Sequence, residues 1–353
     1  MDNNVSGILS ILRCVQCGGA ALETAPAADH DFGLDIKFSD YCLRCPGCET
    51  SFPVTHDGIP KLWTPSIRES MLKKGQIETT LGANIFVYDQ ISDSYQKHTR
   101  QDKRIASRMR TVVNDFLAKE KTALSGQSSD TGKYHLDIGC GPGHVLRWTA
   151  GLGTTQIGLD VSLSNLRNTR QSTGAYVVLG DATDIPFQDD AMHLVTESSV
   201  LHHVEQWEDV IHEACRVSGK RSMIVLDSEP SKDQMDWGPA ARAVFDSRWY
   251  VYKLLSYVWK EKYKFRDIKM AKIDYYQAEV HNQPGRGFPL ERVENLFRES
   301  GFEPRFIFNP DAGMETSVNL SWKHLVLHLL SLHNPLNPKY FGFSVVATPA
   351  NMD

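Results

Sequence analysis

Four thiols in two pairs, a glycine loop followed by spaced carboxylates, and a double histidine are the residues of this 353-residue chain whose types and spacing could do chemistry. Cys14-x-x-Cys17 and Cys45-x-x-Cys48 offer four thiolates at the spacing of a tetrahedral structural zinc site. Cys42 offers the alternative pair Cys42-x-x-Cys45, and Gly18 and Gly47 suit the tight turns such pairs need. Four sulfur ligands leave a metal no open position, so its role would be folding rather than Lewis-acid catalysis. In Asp137-Ile-Gly-Cys-Gly-Pro-Gly143, three glycines remove side chains where the main chain turns sharply and a ligand can approach it. Asp160 lies about 20 residues on, at the end of the next apolar run, where a carboxylate accepts from ribose hydroxyls. Asp181, in Gly180-Asp181-Ala182, can accept from the exocyclic amine of an adenine. Glu197, His202 and His203 follow a fourth run, and a histidine titrating near neutrality is a suitable base.

The elements that must position these groups alternate strand with helix. Tyr134–Ile138, Gln156–Leu159, Tyr176–Leu179, His193–Thr196 and Ser222–Leu226 read as strands. Helices are expected through Val145–Ala150 and Trp207–Arg216, with Ser162 or Ser164 capping another. That alternation predicts a parallel sheet covered on both faces, with ligands at its carboxyl edge. Trp237 to Tyr276 is dense in aromatic residues at helical spacing: a cap forming an apolar pocket, or else an interface or extra core layer. Phe288–Phe297 is an amphipathic helix ended by Ser300-Gly301, and Pro304–Phe308 and Tyr340–Ala347 read as closing strands. The chain therefore divides into a cysteine-rich module (1–65), N-terminal helices with a Ser/Gly-rich linker (66–132), a nucleoside-binding core (133–230), a helical insert (231–287) and the rest of the core (288–353).

A formal net charge of −5 gives no global pull toward nucleic acid. No apolar run approaches the roughly 20 residues that span a bilayer. The start, Met-Asp-Asn-Asn-Val, lacks a signal-peptide pattern, and paired cysteines point to a metal site in a reducing compartment, so a cytoplasmic location is expected.

Asp137-x-Gly-x-Gly-x-Gly143, Gly158-Leu-Asp160-Val-Ser, Gly180-Asp181-Ala182-Thr-Asp-Ile-Pro186-Phe and Leu201-His202-His203-Val resemble the motifs of class I S-adenosylmethionine-dependent methyltransferases, of the small-molecule, ubiquinone/menaquinone-biosynthesis-like type. Cys45-Pro-Gly-Cys48 with Phe52-Pro-Val and Asp57-Gly-Ile-Pro resembles the zinc ribbon of the methyltransferase-activator family. The resemblance implies a Rossmann-like seven-stranded sheet carrying a small N-terminal zinc ribbon and a helical aromatic-rich cap. It implies cofactor contacts at Tyr88, Asp137, Gly139, Cys140, Gly141, Gly143, Asp160, Val161, Asp181, Ala182 and Glu197, with catalytic roles for His202, His203 and Tyr95. The expected cofactors are S-adenosyl-L-methionine and one structural Zn2+ on Cys14, Cys17, Cys45 and Cys48. The expected acceptor is a small hydrophobic or aromatic biosynthetic molecule, methylated on oxygen or carbon, with no membrane partner and a homo-oligomer allowed. Nucleic acid is disfavoured: no Asp/Asn-Pro-Pro-Tyr/Phe follows the fourth strand and no Pro-Cys nucleophile is present. A zinc-ribbon RNA methyltransferase and a non-catalytic scaffold are the alternatives.

Overall fold

The computed structural model of the chain describes residues 3–19, 21–27, 37–63, 67, 69, 79–98, 109–116, 118, 133–257, 272, 274–309 and 322–351. The linker at 121–132 and the middle of the spacer between the cysteine pairs, at 28–36, lie outside them.

Seven strands form the central sheet: β4 (Tyr134–Ile138), β5 (Thr155–Asp160), β6 (Tyr176–Leu179), β7 (Met192–Ser198), β8 (Ser218–Glu229), β9 (Phe302–Asn309) and β10 (Gly342–Pro349). Their order is β6-β5-β4-β7-β8-β10-β9. The first five are parallel, and their apolar runs are almost wholly buried, as expected of strands covered on both faces. β10 departs from the all-parallel expectation. It enters the gap between β8 and β9 antiparallel to both, where Ser344 donates to Asp227 at 2.8 Å. The sheet is thus the Rossmann-like seven-stranded one. Its order reverses between β5 and β7, on either side of β4, so the crevice at their carboxyl ends is the natural ligand site.

The covering helices follow from the sequence pattern. Helix α1 (Thr80–His98) precedes the sheet; α2 (His144–Trp148), α3 (Leu163–Thr173), α4 (Trp207–Val217), α5 (Pro239–Ser256), α6 (Leu290–Glu299) and α7 (Trp322–Leu330) follow in order. Ser162 rather than Ser164 caps α3, accepting from the Asn165 N–H at 3.2 Å, and Gly174 ends it in the left-handed conformation. Residues 109–116 are helical, and Met109, Val113 and Phe116 at spacings of three and four bury one face against β7, β8 and β10.

The cysteine-rich segment folds as a three-stranded antiparallel sheet, β1 (Glu23–Pro26), β2 (Phe38–Arg44) and β3 (Ser51–Thr55). It is stitched to the central sheet. Leu62 donates its N–H to Leu179 at 2.9 Å, and Leu179 returns one to Pro60 at 3.0 Å, which covers the exposed edge of β6. Asp57 accepts from Arg167 and Arg170 on α3. Lys61 is fully buried at this seam, its ammonium 5.2 Å from the Phe38 ring centre and 5.0 Å from Trp63; burial pushes its pKa down to about 8.

The described part of the aromatic stretch fits the alternative reading, an extra core layer; residues 258–271 lie outside the described ones. Trp237, Phe245 and Trp249 of the α5 region pack on Tyr275, Met235 and Leu327 of α7, making a satellite core of their own. The Arg248 guanidinium stacks 3.2 Å from the Phe245 ring centre and seals it. With their faces spent on one another, these rings are unavailable to line a pocket over the sheet edge.

Candidate functional site

A cavity of about 510 Å3 opens at the carboxyl edge of β4, β5, β6 and β7. Its walls include Gly139 and Gly141 of the loop after β4, Asp160 and Val161 after β5, Gly180 to Thr183 after β6, Ser198 to Val200 and His203 after β7, and Asn84 and Tyr88 from α1. The sheet topology explains the convergence, because parallel strands deliver all their carboxyl ends to one edge.

The loop needs its glycines for two different reasons. Gly139 has φ of 60°, and a Cβ there would lie 2.4 Å from a Val200 methyl. Gly141 has φ of 51°, but a Cβ there would meet nothing within 4 Å, because it faces the cavity. The Gly141 N–H donates to Asp160 Oδ2 at 2.8 Å and the Ser162 N–H to Oδ1 at 2.7 Å, so one carboxylate ties the loop to the end of β5. Burial raises the Asp160 pKa to about 6 despite these donors. Asp89 of α1 accepts from Ser162 Oγ at 2.6 Å and Ser164 N at 3.2 Å, so the helix that carries Tyr88 is fixed to the same turn. After β6, Asp181 accepts from the Thr183 N–H at 3.0 Å.

Tyr88 and His203 meet across the cavity. The Tyr88 hydroxyl lies 3.2 Å from His203 Nε2, and His203 Nδ1 lies 2.9 Å from the Ala278 carbonyl oxygen. A carbonyl oxygen only accepts, so Nδ1 carries the proton and Nε2 presents its lone pair to the tyrosine. Asn84 holds the arrangement by donating to the His203 carbonyl at 3.0 Å and the Ala278 carbonyl at 3.3 Å. The 274–281 segment therefore reaches the site through backbone groups: Ala278 O, and the His281 N–H on the His202 carbonyl at 3.0 Å.

Below the wall lies a second set of acids. Glu197 and Glu229, both fully buried, accept from the same Val200 and Leu201 N–H groups; Glu229 also takes the His202 N–H at 3.1 Å and His202 Nδ1 at 2.9 Å. Burial, reinforced for Glu197 by the neighbouring Glu229 charge, pushes both carboxyls above the usual carboxylate range. Asp137 is likewise buried: Thr196 donates to its Oδ1 at 2.7 Å, Oδ2 has no partner among the described residues, and burial raises its pKa to about 8.

The sequence-based candidates thus fall into three places. Tyr88, Gly139, Gly141, Asp160, Val161, Asp181, Ala182 and His203 line the cavity. Asp137, Cys140, Gly143, Glu197 and His202 stand one layer behind it, because the strand ends and the 200–203 turn bury them. Glu197 and His202 therefore shape the turn beneath the cavity rather than its surface. Tyr95 is on α1, its side chain outside those described. Sequence reasoning missed Asn84, Asp89, Glu229 and Ala278. Only Glu229 left a signal, as a carboxyl extending the apolar run of β8 past its expected end.

The second constellation is the cysteine cluster. The sulfurs of Cys14, Cys17, Cys45 and Cys48 lie within 4.8 Å of one another, with Cys14 to Cys48 at 3.6 Å and Cys17 to Cys45 at 3.7 Å. The edge of a tetrahedron built on zinc–sulfur bonds of about 2.3 Å is about 3.8 Å, so the donor set fits the ion. The two turns are copies: Gly18 N to Cys14 O at 2.8 Å and Cys14 N to Gly19 O at 2.9 Å match Glu49 N to Cys45 O at 2.8 Å and Cys45 N to Thr50 O at 2.9 Å. Gly18 and Glu49, not Gly47, take the left-handed position that closes each turn. Cys42 points away, its thiol 3.6 Å from the Pro26 carbonyl oxygen.

Residues 136–226 match the family profile described as "Methyltransferase domain". The demethylmenaquinone methyltransferase of Lysinibacillus sphaericus is 22% identical over 250 residues, 68% of this chain and 95% of that protein. An uncharacterized protein of Methanocaldococcus jannaschii is 22% identical over 223 residues, 63% of this chain and 76% of that protein. Among solved structures, a putative methyltransferase from Bacillus halodurans aligns with a TM-score of 0.37 and 20% identity, covering 65% of this chain and 96% of that one. A chain of the complex between the Haloferax volcanii Trm112 methyltransferase activator and the putative methyltransferase aligns with a TM-score of 0.41 and 15% identity, covering 74% and 97%. Residues 136–226 are thus a methyltransferase domain, and its glycine loop and strand-end acids lie at one edge of the Rossmann-like sheet.

Proposed function

We propose that the chain transfers a methyl group from S-adenosylmethionine to a small molecule, with His203 as the base and Tyr88 as its proton partner. The observation that carries this reading is the Tyr88–His203 pair, held in one tautomer by Ala278 and facing the same cavity as Asp160 and Asp181. Asp160, with Val161, is assigned to the ribose, Asp181 and the backbone of Ala182 to the adenine, and the Gly139–Gly141 loop to the methionine portion. Asp137, behind the loop, is assigned to the α-ammonium group, whose positive charge would favour the ionised carboxylate over the protonated form that burial favours without cofactor.

The sulfonium of the bound cofactor supplies an activated methyl carbon, so the protein has to align the acceptor and remove its proton. The acceptor's hydroxyl or acidic carbon loses its proton to His203 Nε2, either directly or through the Tyr88 hydroxyl, as the new bond to carbon forms and the sulfur–carbon bond breaks. His203 then holds the proton until solvent exchange.

The charge of the walls supports an acceptor that is not an anion. Among the described lining residues Glu69, Asp160, Asp181 and Glu205 are acidic, and none is Lys or Arg. A phosphate backbone would meet repulsion there. His203 as base, and Leu81, Val200 and Val204 among the lining residues, support a hydrophobic or aromatic acceptor methylated on oxygen or carbon. Cys14, Cys17, Cys45 and Cys48 are assigned to one structural zinc ion. The reading is tested by incubating the protein with methyl-labelled cofactor and a cell extract split into low-molecular-weight and RNA fractions. Label in an organic-extractable small molecule is expected. Label in RNA would overturn the substrate class.

A further inference from the structure

The stretch from Leu179 to Gln188 carries the adenine side of the cavity, Gly180 to Thr183, and the N-terminal module grips it at both ends. Pro60 and Leu62 pair with Leu179 just before it. Just after it, Ser10 to Arg13 runs antiparallel to Pro186 to Gln188: Arg13 N donates to Pro186 O at 3.0 Å and Gln188 N to Ile11 O at 2.9 Å, with Leu12 opposite Phe187. The Gln188 side chain adds bonds to the Ser10 carbonyl at 2.9 Å and the Leu12 carbonyl at 3.2 Å.

The side chain of Arg13 reaches further in. Its Nη2 lies 2.5 Å from Asp184 Oδ1 and 3.6 Å from Glu213 Oε2, with only 18% of the side chain exposed. Asp184 closes a turn back on Asp181, donating its N–H to the Asp181 carbonyl at 3.3 Å. Glu213 in turn accepts from the Ile185 N–H at 2.7 Å and from Arg216, which also binds Asp189 at 2.6 Å. Asp181, Asp184 and Asp189 of this loop and Glu213 of its neighbour α4 put several carboxylates close together. Arg216 satisfies the far side, and Arg13 brings the balancing charge to the near side, between Asp184 and Glu213.

We infer that Arg13 is a positioning residue for the adenine-facing carboxylate Asp181, which makes the N-terminal module part of the cofactor site rather than an appendage. The inference rests on the assignment of Asp181 to the adenine given above. Without the Arg13–Asp184 ion pair the 181–185 turn loses its anchor and relaxes, and Asp181 loses its aim at the exocyclic amine. The methyl end, built on α1 and the 200–203 turn, is untouched.

The test compares binding of S-adenosylhomocysteine with that of its deaminated analogue, S-inosylhomocysteine, by calorimetry on the full chain. The wild type is expected to favour the amine. Arg13→Ala is expected to bind S-adenosylhomocysteine about tenfold more weakly with S-inosylhomocysteine little changed, so that discrimination collapses. Its KM for cofactor rises while kcat at saturation holds, and Arg13→Lys recovers part of the loss. Asp184→Asn, which leaves the module intact, is expected to give the same collapse, and the double variant no further loss. Equal weakening of both ligands in both variants, or unchanged affinities, would overturn the role of Arg13. A wild type that binds S-adenosylhomocysteine without preferring the amine would overturn the Asp181 assignment, and the inference with it. A wild type that binds neither would refute the cofactor site as a whole.

Discussion

At the residue scale the site is a division of labour between exposed and buried titratable groups. His203 faces the cavity with Nδ1 on the Ala278 carbonyl and Nε2 toward Tyr88, so His203→Ala is expected to lower kcat by about 10²- to 10⁴-fold with cofactor affinity held. Steady-state kinetics beside calorimetry reads the split. Tyr88→Phe keeps the ring and removes only the hydroxyl, so a smaller loss is expected. The pH dependence has two opposite signs at Asp160. Its carboxyl is raised by burial from 3.8 to about 6, so its contribution to stability without cofactor is fully present below 3.8 and lost as pH rises through about 6. Ribose hydroxyls need the carboxylate as acceptor, so affinity for S-adenosylhomocysteine is expected to fall as pH drops through about 6. Titrations from pH 5 to 8 check it, and Asp160→Asn should flatten the curve. The acids after β5 and β6 were legible in the sequence because the βα register places the ends of those two strands. Asn84, Asp89 and Ala278 were not, because their roles come from α1 and the 274–281 turn folding onto the sheet edge. No local pattern encodes that packing.

At the scale of elements, the loop after β4 and the turn after β7 constrain each other. A Cβ at residue 139 would strike Val200, and φ there is positive. Gly139→Ala is therefore expected to cost about 2 kcal/mol in denaturant unfolding, more than the same change at Gly141, where the added methyl enters the cavity and weakens cofactor binding instead. The parallel strands and the amphipathic α6 were readable from periodicity alone. The reversal of β10 was not, since an apolar strand reads the same in either direction. Nor was the fate of the aromatic stretch. Trp237, Phe245 and Trp249 have the composition of a pocket, and only their pairing with α7 makes them a core. Composition reports that rings will be buried and not against what.

At the scale of the whole molecule, the cysteine module and the sheet share one core. Ile8, Leu12, Leu43 and Phe52 of the module lie in the same buried cluster as Leu136, Ile138 and Leu226 of the sheet. A purified preparation is therefore expected to hold one zinc ion per chain, and its removal by a chelator to lower the unfolding temperature of the whole chain by roughly 10 °C rather than melting the module alone. Elemental analysis and differential scanning calorimetry measure both. Exposed large apolar side chains include Tyr250, Leu254 and Tyr257 on and after α5 and Leu329, Leu332 and Leu336 on and after α7. The account's central claim is that the cavity at the β4–β7 edge is the cofactor site. Calorimetric titration with S-adenosylhomocysteine tests it most directly. One molecule is expected to bind per chain, and Asp160→Ala, which removes an acceptor of two charge-assisted hydrogen bonds, is expected to weaken binding by about 100-fold while the fold persists. Near-native affinity in that folded variant would contradict it.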